Sequence, residues 1–205
     1  MITLRQERLA DIEAREALLD QAFGETRTRK SSERLREDRL PAEGLAFIAA
    51  EGKRVIGTAR LWNIACGNGK QVLLLGPVAV VADCRSRGIG GALVRHAIAQ
   101  ASRLCHDAVI LVGDPEYYSR FGFSGAKTGA LSMPGPFERR RLLGRELKAG
   151  ALDGARGMIA PAGRCVAKFA NLPDLAVPVA REAAQDRALA TVGVRRISRH
   201  RPRAA

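Results

Sequence analysis

A glycine-rich turn between a buried strand and an amphipathic helix constrains the fold of this chain more than any other feature. The turn reads Arg-Ser-Arg-Gly-Ile-Gly-Gly-Ala over residues 85–92, and it follows an apolar stretch at 71–81. Apolar side chains at helical spacing predict a helix over 88–105, and the apolar run at 108–112 predicts another strand. Because a helix joins these two strands, we expect them to lie parallel in one sheet.

The first of these strands contains an interruption at Gly76-Pro77. Proline has no backbone N–H and cannot donate to a strand ladder. We therefore expect the strand to bulge at this point or to part from one of its neighbours.

The glycine turn is also suited to binding an anion. The first N–H groups of a helix have no partner within the helix, and the helix dipole adds positive charge at the same end. This arrangement predicts a pyrophosphate site. A dinucleotide site of the Rossmann type is one interpretation, with Asp114 at the end of the next strand in its favour. Against it, Leu93 stands where that motif needs Gly or Ala, and Gly88 lies seven residues past Val81 rather than directly after the strand.

The remaining elements follow from shorter patterns. We expect a first strand at 2–5, a helix at 10–23, a charged helix or loop at 25–39, and a hairpin of strands at 45–50 and 54–62. Beyond residue 123 the pattern weakens, and the last strands are expected within 124–133, 142–147 and 158–169. The sequence predicts a single domain at 1–170 and a basic C-terminal extension at 171–205, partly helical (180–190) or disordered.

Composition excludes several classes of protein. The four cysteines, Cys66, Cys84, Cys105 and Cys165, are widely spaced with no histidines at ligand spacing, so we expect no metal site. No apolar run approaches the roughly 20 residues that span a bilayer, and the first residues carry no signal-peptide pattern. The expected location is the cytoplasm, with no membrane partner.

The charge of the chain favours polyanionic partners. Thirty-four Lys and Arg residues against 21 Asp and Glu give a formal net charge of +13. A phosphorylated cofactor and a nucleic acid both fit such a field, as does the surface of a protein from an arginine-rich genome. Five arginines at 195–205 leave nucleic acid as an alternative partner, although this segment lacks the aromatic side chains on which bases stack.

Two motifs together resemble the GNAT N-acetyltransferase superfamily. Arg85-x-x-Gly88-x-Gly90 before a helix is similar to its acetyl-CoA motif, and Tyr117-Tyr118 before Gly122-Phe123 is similar to its second motif. The order of elements agrees over residues 1–125 and loosely over 126–169. The resemblance implies an α+β fold with a mixed sheet of six to seven strands, mostly antiparallel with a central parallel pair. About four helices would flank it in a three-layer α/β/α arrangement.

The resemblance also implies an acetyl-CoA-dependent N-acetyltransferase that acts on a primary amine of a small molecule or protein. Backbone N–H groups from Arg87 to Ala92 would hold the pyrophosphate, and the side chains of Arg87 and Arg95 would reach cofactor phosphates. The residues implied to bind the cofactor are Val78, Ala79, Val80, Arg85, Ser86, Arg87, Gly88, Ile89, Gly90, Gly91, Ala92 and Tyr117.

The reaction needs a neutral amine, stabilisation of the tetrahedral oxyanion and a leaving thiolate. By the motif match, Tyr118 acts as the general acid to the CoA thiolate, and the N–H of Val78 or a neighbour serves the oxyanion. Many relatives carry a carboxylate base on the long central strand, whereas residues 71–81 contain none. Asp114 and Glu116 are the candidate bases, and Asp114 has the alternative role of capping the short helix that follows it.

Other functions and the identity of the acceptor stay open on the sequence alone. A non-catalytic acyl-CoA-sensing module and an acetyltransferase that modifies RNA or ribosomal protein are the alternatives. The basic segments 25–39 and 135–145 favour an acceptor that bears carboxylate or phosphate, unless their charge is unrelated to substrate. The oligomeric state is open as well, with a homodimer as one option.

Overall fold

The computed structural model of the chain describes residues 1–166. Its strands are β1 (Ile2–Gln6), β2 (Ala46–Glu51), β3 (Arg54–Ala65), β4 (Gln71–Val80), β5 (Ala108–Val112), β6 (Leu131–Ser132), β7 (Leu142–Glu146), β8 (Gly157–Met158) and β9 (Ala160–Pro161). Its α-helices are α1 (Ile12–Phe23), α2 (Ile89–Arg103) and α3 (Pro115–Tyr118). The predicted extension at 171–205, its helix at 180–190 and the last residues of the predicted domain lie outside the described residues.

Seven of the strands form one mixed sheet, as predicted. Its order is β1-β2-β3-β4-β5-β7, and β9 pairs with β3. The β4–β5 pair is parallel, and all the other pairs in this sheet are antiparallel. The helical crossover through α2 accounts for the parallel pair, because a chain that returns through a helix re-enters the sheet in the same direction.

The helices cover opposite faces of the sheet. On β2, Phe47 faces the cluster that contains Leu93 of α2, whereas the next residue, Ile48, packs with Leu18 and Leu19 of α1. Successive side chains of a strand point to opposite faces. The three-layer α/β/α arrangement is therefore confirmed.

The described residues contain three α-helices rather than about four. The segment at 25–39 forms a 3-10 turn at Glu25–Arg29 and further turns instead of a second helix. Leu35 is its only apolar residue, so the segment has no apolar stripe to hold a helix against the sheet.

Helix α2 packs closely on the sheet because β3 has a glycine beneath it. A Cβ at Gly57 would lie 3.0 Å from Cδ1 of Leu93 and 3.2 Å from the carbonyl oxygen of Ala79. The buried stripe of α2 ends at Ala101, and the helix ends at Arg103. Leu104 falls within the predicted helix at 88–105, but it is 50% exposed because it lies beyond the last turn.

The late strands are shorter than expected. Leu142–Glu146 matches the predicted strand at 142–147, whereas 124–133 and 158–166 contribute two-residue strands and two bridges, Ser124–Gly144 and Arg39–Cys165. Glycines interrupt both segments and Pro161 interrupts the second, and such residues weaken strand pairing. These loops pack Leu131, Met133 and Ile159 onto one face of the sheet.

Strand β4 bulges and separates from β5, as Gly76-Pro77 predicts. Leu61 pairs with Leu75 and Ala59 pairs with Val78, so Gly76 and Pro77 together oppose a single residue of β3. The ladder to β5 ends after Leu74. Within residues 1–166, the β5-facing edge of β4 is therefore open beyond that point.

Candidate functional site

Two cavities lie along the open edge of β4. The first, here called the turn cavity, has a volume of about 550 Å³ and lies at the start of α2, between Val80 and Tyr117. The second, here called the splay cavity, has a volume of about 230 Å³ and lies where β4 leaves β5, between Val78 and Tyr118. Residues 78–80 therefore join the two cavities.

The turn cavity is built by the glycines that open α2. Gly88 caps the helix with φ of 76°, a conformation that glycine adopts without strain. A Cβ at Gly90 would lie 3.4 Å from the Tyr117 hydroxyl and 3.6 Å from Cγ2 of Val80, so the absent side chain keeps the cavity open. The predicted residues that line it are Val80, Arg85, Ser86, Gly88, Ile89, Gly90, Gly91 and Tyr117.

The hydrogen bonds of the turn show which backbone N–H groups remain available to an anion. Ala92 donates its N–H to the carbonyl of Gly88 at 3.0 Å. The expectation that Ala92 offers its N–H to a pyrophosphate is therefore wrong, because that group already closes the first turn of α2. The N–H groups of Ile89, Gly90 and Gly91 precede this first helical bond, at the positions that have no partner within a helix.

The cationic side chains of the turn cavity differ from those expected. The guanidinium of Arg87 pairs with Glu51 at 2.9 Å and lies 3.2 Å from Sγ of Cys84. In this arrangement Arg87 is bound to Glu51, and it is not among the residues that line the turn cavity. Arg95 lines the cavity, and so does Arg120, which was not predicted and whose Cζ lies 4.6 Å from the centre of the Tyr117 ring. The i,i+3 spacing of Arg120 after Tyr117 is the signal that could have indicated it.

The splay cavity places a partly buried phenol beside the bulge of β4. Tyr118 lines it together with Gly76, Pro77, Val78 and Gly113. A Cβ at Gly113 would collide with the ring of Tyr118, so only glycine lets the ring lie there. Burial, and to a smaller extent the neighbouring Tyr117, raise the pKa of Tyr118 to about 12. The phenol is thus protonated across the physiological range.

The two adjacent tyrosines line different cavities. Tyr117 lines the turn cavity and Tyr118 the splay cavity, and their rings stand nearly perpendicular with centroids 5.0 Å apart. Edge-to-face packing of this kind holds both rings in defined positions.

Asp114 lines the splay cavity, but it also caps a helix. Its Oδ1 accepts the N–H of Glu116 at 3.2 Å, at the start of α3. Hydrogen bonding with Glu116 lowers the pKa of Asp114, and Arg140 and Arg141 lower it further. Glu116 is exposed, and its carboxylate lies 3.8 Å from Arg140. In this structure Asp114 therefore acts as the N-terminal cap of α3, the alternative role that the sequence offers for it.

Local sequence patterns did not predict which charged residues line the splay cavity. Its described charged residues are the cations Arg27, Lys30, Arg36 and Arg141 and the carboxylates Glu33 and Asp114. Most come from the segment at 25–39, which folds across the gap between β4 and β5. The sequence indicated only that this segment is basic and adjacent to an acceptor.

Two further properties are limited to the part of the chain that the structure describes. No group of three or more His, Cys, Asp or Glu side chains within residues 1–166 could hold a metal ion. In the same residues, no helix combines the length and apolar character needed to cross a membrane.

A mixed sheet whose one parallel strand pair opens beside a glycine turn defines an α+β class of fold, and comparisons with known proteins give the family. The model of the acetyltransferase (GNAT) family matches residues 12–123. The uncharacterized N-acetyltransferase YhbS of Escherichia coli is 30% identical over 145 residues, which are 70% of this chain and 86% of that protein. The chain therefore belongs to the GNAT acetyltransferase family.

Solved structures agree with this assignment. The crystal structure of YhbS from Escherichia coli in complex with CoA has a TM-score of 0.68 and 28% identity, and the alignment covers 78% of this chain and 89% of that one. A GNAT family acetyltransferase from Brucella melitensis in complex with acetyl-CoA has a TM-score of 0.50 and 25% identity, with 75% of this chain and 99% of that one covered.

Proposed function

We propose that this protein transfers an acetyl group from acetyl-CoA to a primary amine. The observation that carries the proposal is the open edge of β4, which joins the turn cavity to the splay cavity with one tyrosine in each. The relatives whose structures contain CoA or acetyl-CoA support the same donor. When bound, acetyl-CoA would supply the activated thioester.

The residues at the turn cavity fit the phosphate end of the donor. The N–H groups of Ile89, Gly90 and Gly91, together with the helix dipole, would hold the pyrophosphate. Arg95 and Arg120 line the same cavity and would pair with phosphate oxygens. The main chain of Val78, Ala79 and Val80 would pair with the pantetheine arm as an added strand, since this edge has no ladder partner on β5.

The residues at the splay cavity fit the chemical step. The N–H of Val78 would stabilise the charge that develops on the thioester oxygen. Tyr118 would donate its proton to the departing sulfur, and its raised pKa keeps that proton available. The amine attacks the thioester carbonyl and the N–C bond forms in a tetrahedral intermediate; the C–S bond breaks as this intermediate collapses and the thiol leaves. The attacking nitrogen gives up its proton to Asp114, directly or through water, and Tyr118 regains a proton from solvent.

Deprotonation of the amine depends more on the cations that line the splay cavity than on a single strong base. Asp114 is the proposed carboxylate acceptor of the proton, directly or through water, but its lowered pKa makes it a weak base. The cations around the cavity disfavour a bound ammonium and lower the pKa of the amine. A larger fraction of the acceptor is then neutral at a given pH.

The experiment that tests this proposal compares matched hydroxyl deletions in the two cavities. We expect Tyr118→Phe to lower kcat about 100-fold, the scale of general acid catalysis, with little change in the Kd for CoA. We expect Tyr117→Phe to act instead on the KM for acetyl-CoA, because its hydroxyl lies beside Gly90. The measurement is free-thiol release with a panel of amines. An unchanged kcat in Tyr118→Phe would remove this residue from the mechanism.

The same assay separates the alternatives. A module that senses acyl-CoA without turnover would bind CoA but release no thiol with any amine. An enzyme for RNA or ribosomal protein would release thiol only with those acceptors. Location in the cytoplasm and assembly as a homodimer remain predictions.

A further inference from the structure

The splay cavity carries an excess of positive charge at the end where an acceptor would enter. Four cations and two carboxylates stand among its described lining residues. Arg27 is neutralised from outside the cavity, because it pairs with Glu16 and with Asp20 of α1. Arg141 likewise pairs with Glu138, outside the cavity, at 3.6 Å. The cations available to a bound molecule are thus Lys30 and Arg36, opposed by Glu33 and Asp114.

Arg36 is a buried guanidinium placed against the bulge of β4. Its side chain is only 7% exposed. Its Nη2 donates to Glu33 at 2.6 Å and its Nε donates to the carbonyl of Ser32 at 3.1 Å. The remaining nitrogen, Nη1, lies 4.0 Å from the position that a Cβ would take on Gly76, so it faces the cavity.

The electrostatic surroundings of Arg36 favour an additional anion. Burial lowers its pKa, and the neighbouring cations Arg27 and Arg60 lower it further. Glu33 supplies one carboxylate to this cluster. A second carboxylate would relieve the repulsion among the cations, and the planar guanidinium would bind it through hydrogen bonds.

Lys30 completes the cationic side of the cavity. Its Nζ lies 4.5 Å from the centre of the Phe23 ring, and the residue is exposed at the cavity rim. Lys30 and Arg36 both belong to the segment that covers the splay, whereas Tyr118 stands on α3. An acceptor bound between them would present one end to the cations and the other to the reacting thioester.

The volume of the cavity limits the size of that acceptor. At about 230 Å³ it is smaller than the 300–1,000 Å³ typical of sites for drug-sized ligands. We infer that the acceptor is a small primary amine that also carries a carboxylate, and that Lys30 and Arg36 bind this carboxylate. The inference rests on the proposed acetyl transfer and names its substrate class.

The binding test uses pairs of acetylated products that differ in one group. N-acetylglycine, N-acetyl-L-alanine and N-acetyl-β-alanine are each compared with the corresponding carboxamide. Fluorescence of Trp62, the only tryptophan, reports on the cavity, because its Nε1 donates to the carbonyl of Gly76 at 2.5 Å. We expect the carboxylate of at least one pair to bind 10-fold or more tightly than its amide.

Substitutions then locate the source of that preference. Lys30→Glu reverses one charge on an exposed side chain and should abolish the preference, whereas Lys148→Glu, a reversal outside the cavity, should keep it. Arg36→Gln should also abolish the preference for the carboxylate. If this variant does not fold, the result for Lys30→Glu alone tests the inference. Equal binding of acid and amide in every pair, absence of binding by all six compounds, or a preference that survives Lys30→Glu would overturn the inference.

A turnover test distinguishes failure of this inference from failure of the proposed function. Thiol release from acetyl-CoA is measured with glycine, L-alanine and β-alanine and with their amides. Faster release with the amides, or equal release with both, would contradict the inference while supporting acetyl transfer. An absence of CoA binding would instead remove the proposed function itself, whatever the carboxylate preference.

Discussion

At the scale of single residues, Gly113 and Tyr118 determine the character of the proposed catalytic group. The ring of Tyr118 occupies the space that a side chain at Gly113 would take. It also packs edge-to-face against Phe123, with ring centroids 6.0 Å apart. This packing partly shields the phenol from water, which disfavours the phenolate and raises the pKa of Tyr118 to about 12.

The raised pKa has a direct consequence for the pH dependence of turnover. The acid form of Tyr118 is the neutral phenol, so it persists as pH rises until the pKa near 12 is approached. We expect kcat to increase with pH as the amine loses its proton and then to stay level to about pH 10.5. An acid with the ordinary tyrosine pKa of about 10 would instead lose activity above that pH. The check is a pH profile of kcat for the wild type, and a falling limb centred below pH 10 would contradict this account.

The residues of the site differ in how far the sequence predicts them. Tyr118, Gly88 and Gly90 stand in local motifs, and local spacing is sufficient to identify such positions. Arg36 and Gly113 were not predicted, because their importance comes from contacts with Gly76 and with the ring of Tyr118 that only the folded chain creates. The ion pair between Arg87 and Glu51 on β2 was not predicted either, because only the folded chain brings these two residues together.

At the scale of elements, the long strand β4 was the most predictable part of the fold. A proline in an apolar strand cannot complete a ladder, and the bulge and separation from β5 occur where Gly76-Pro77 stands. The segment at 25–39 and the strands after residue 123 were less predictable. Their apolar residues are few or interrupted, so tertiary contacts rather than local periodicity decide their structure.

The junction between β1 and α1 provides a prediction for stability. The carboxylate of Asp11 accepts hydrogen bonds from Nη1 and Nη2 of Arg5 at 2.6 and 2.8 Å and from the N–H of Arg8 at 2.8 Å. The Arg5 guanidinium is the main cause that lowers the pKa of Asp11 to about 2. A carboxylate with a lowered folded-state pKa stabilises the fold above its unfolded pKa near 4, and this stabilisation is lost as pH falls toward 2.

We therefore expect Asp11→Asn to lower the free energy of unfolding by about 1–2 kcal/mol at pH 7, with a smaller difference at each step from pH 4 to pH 2. Urea unfolding of both proteins across this range is the measurement. Asp83→Asn is the matched control, because Asp83 pairs with Arg54 on the exposed surface, where ion pairs contribute little. A difference between wild type and Asp11→Asn that is independent of pH would contradict the assignment.

At the scale of the whole molecule, part of the net positive charge lies at the two cavities. The net charge of +13 predicts polyanionic partners. Arg95 and Arg120 line the turn cavity, and Lys30, Arg36 and Arg141 line the splay cavity, so part of this charge is concentrated along the open edge of β4. Anionic donors and acceptors would be attracted to the same edge, more weakly at high salt.

The central claim is that the glycine turn and the open edge of β4 bind CoA, and Gly90→Val tests it most directly. Its Cβ would make ordinary contacts with Tyr117 and Val80, and its methyl groups would enter the turn cavity. Gly129→Ala is the matched control, because a Cβ there meets open space. Calorimetric titration with CoA at low salt should show binding to the wild type and to Gly129→Ala. For Gly90→Val, affinity should fall at least 10-fold, about 1.4 kcal/mol, without loss of thermal stability. Equal affinity of CoA for all three proteins would contradict the account.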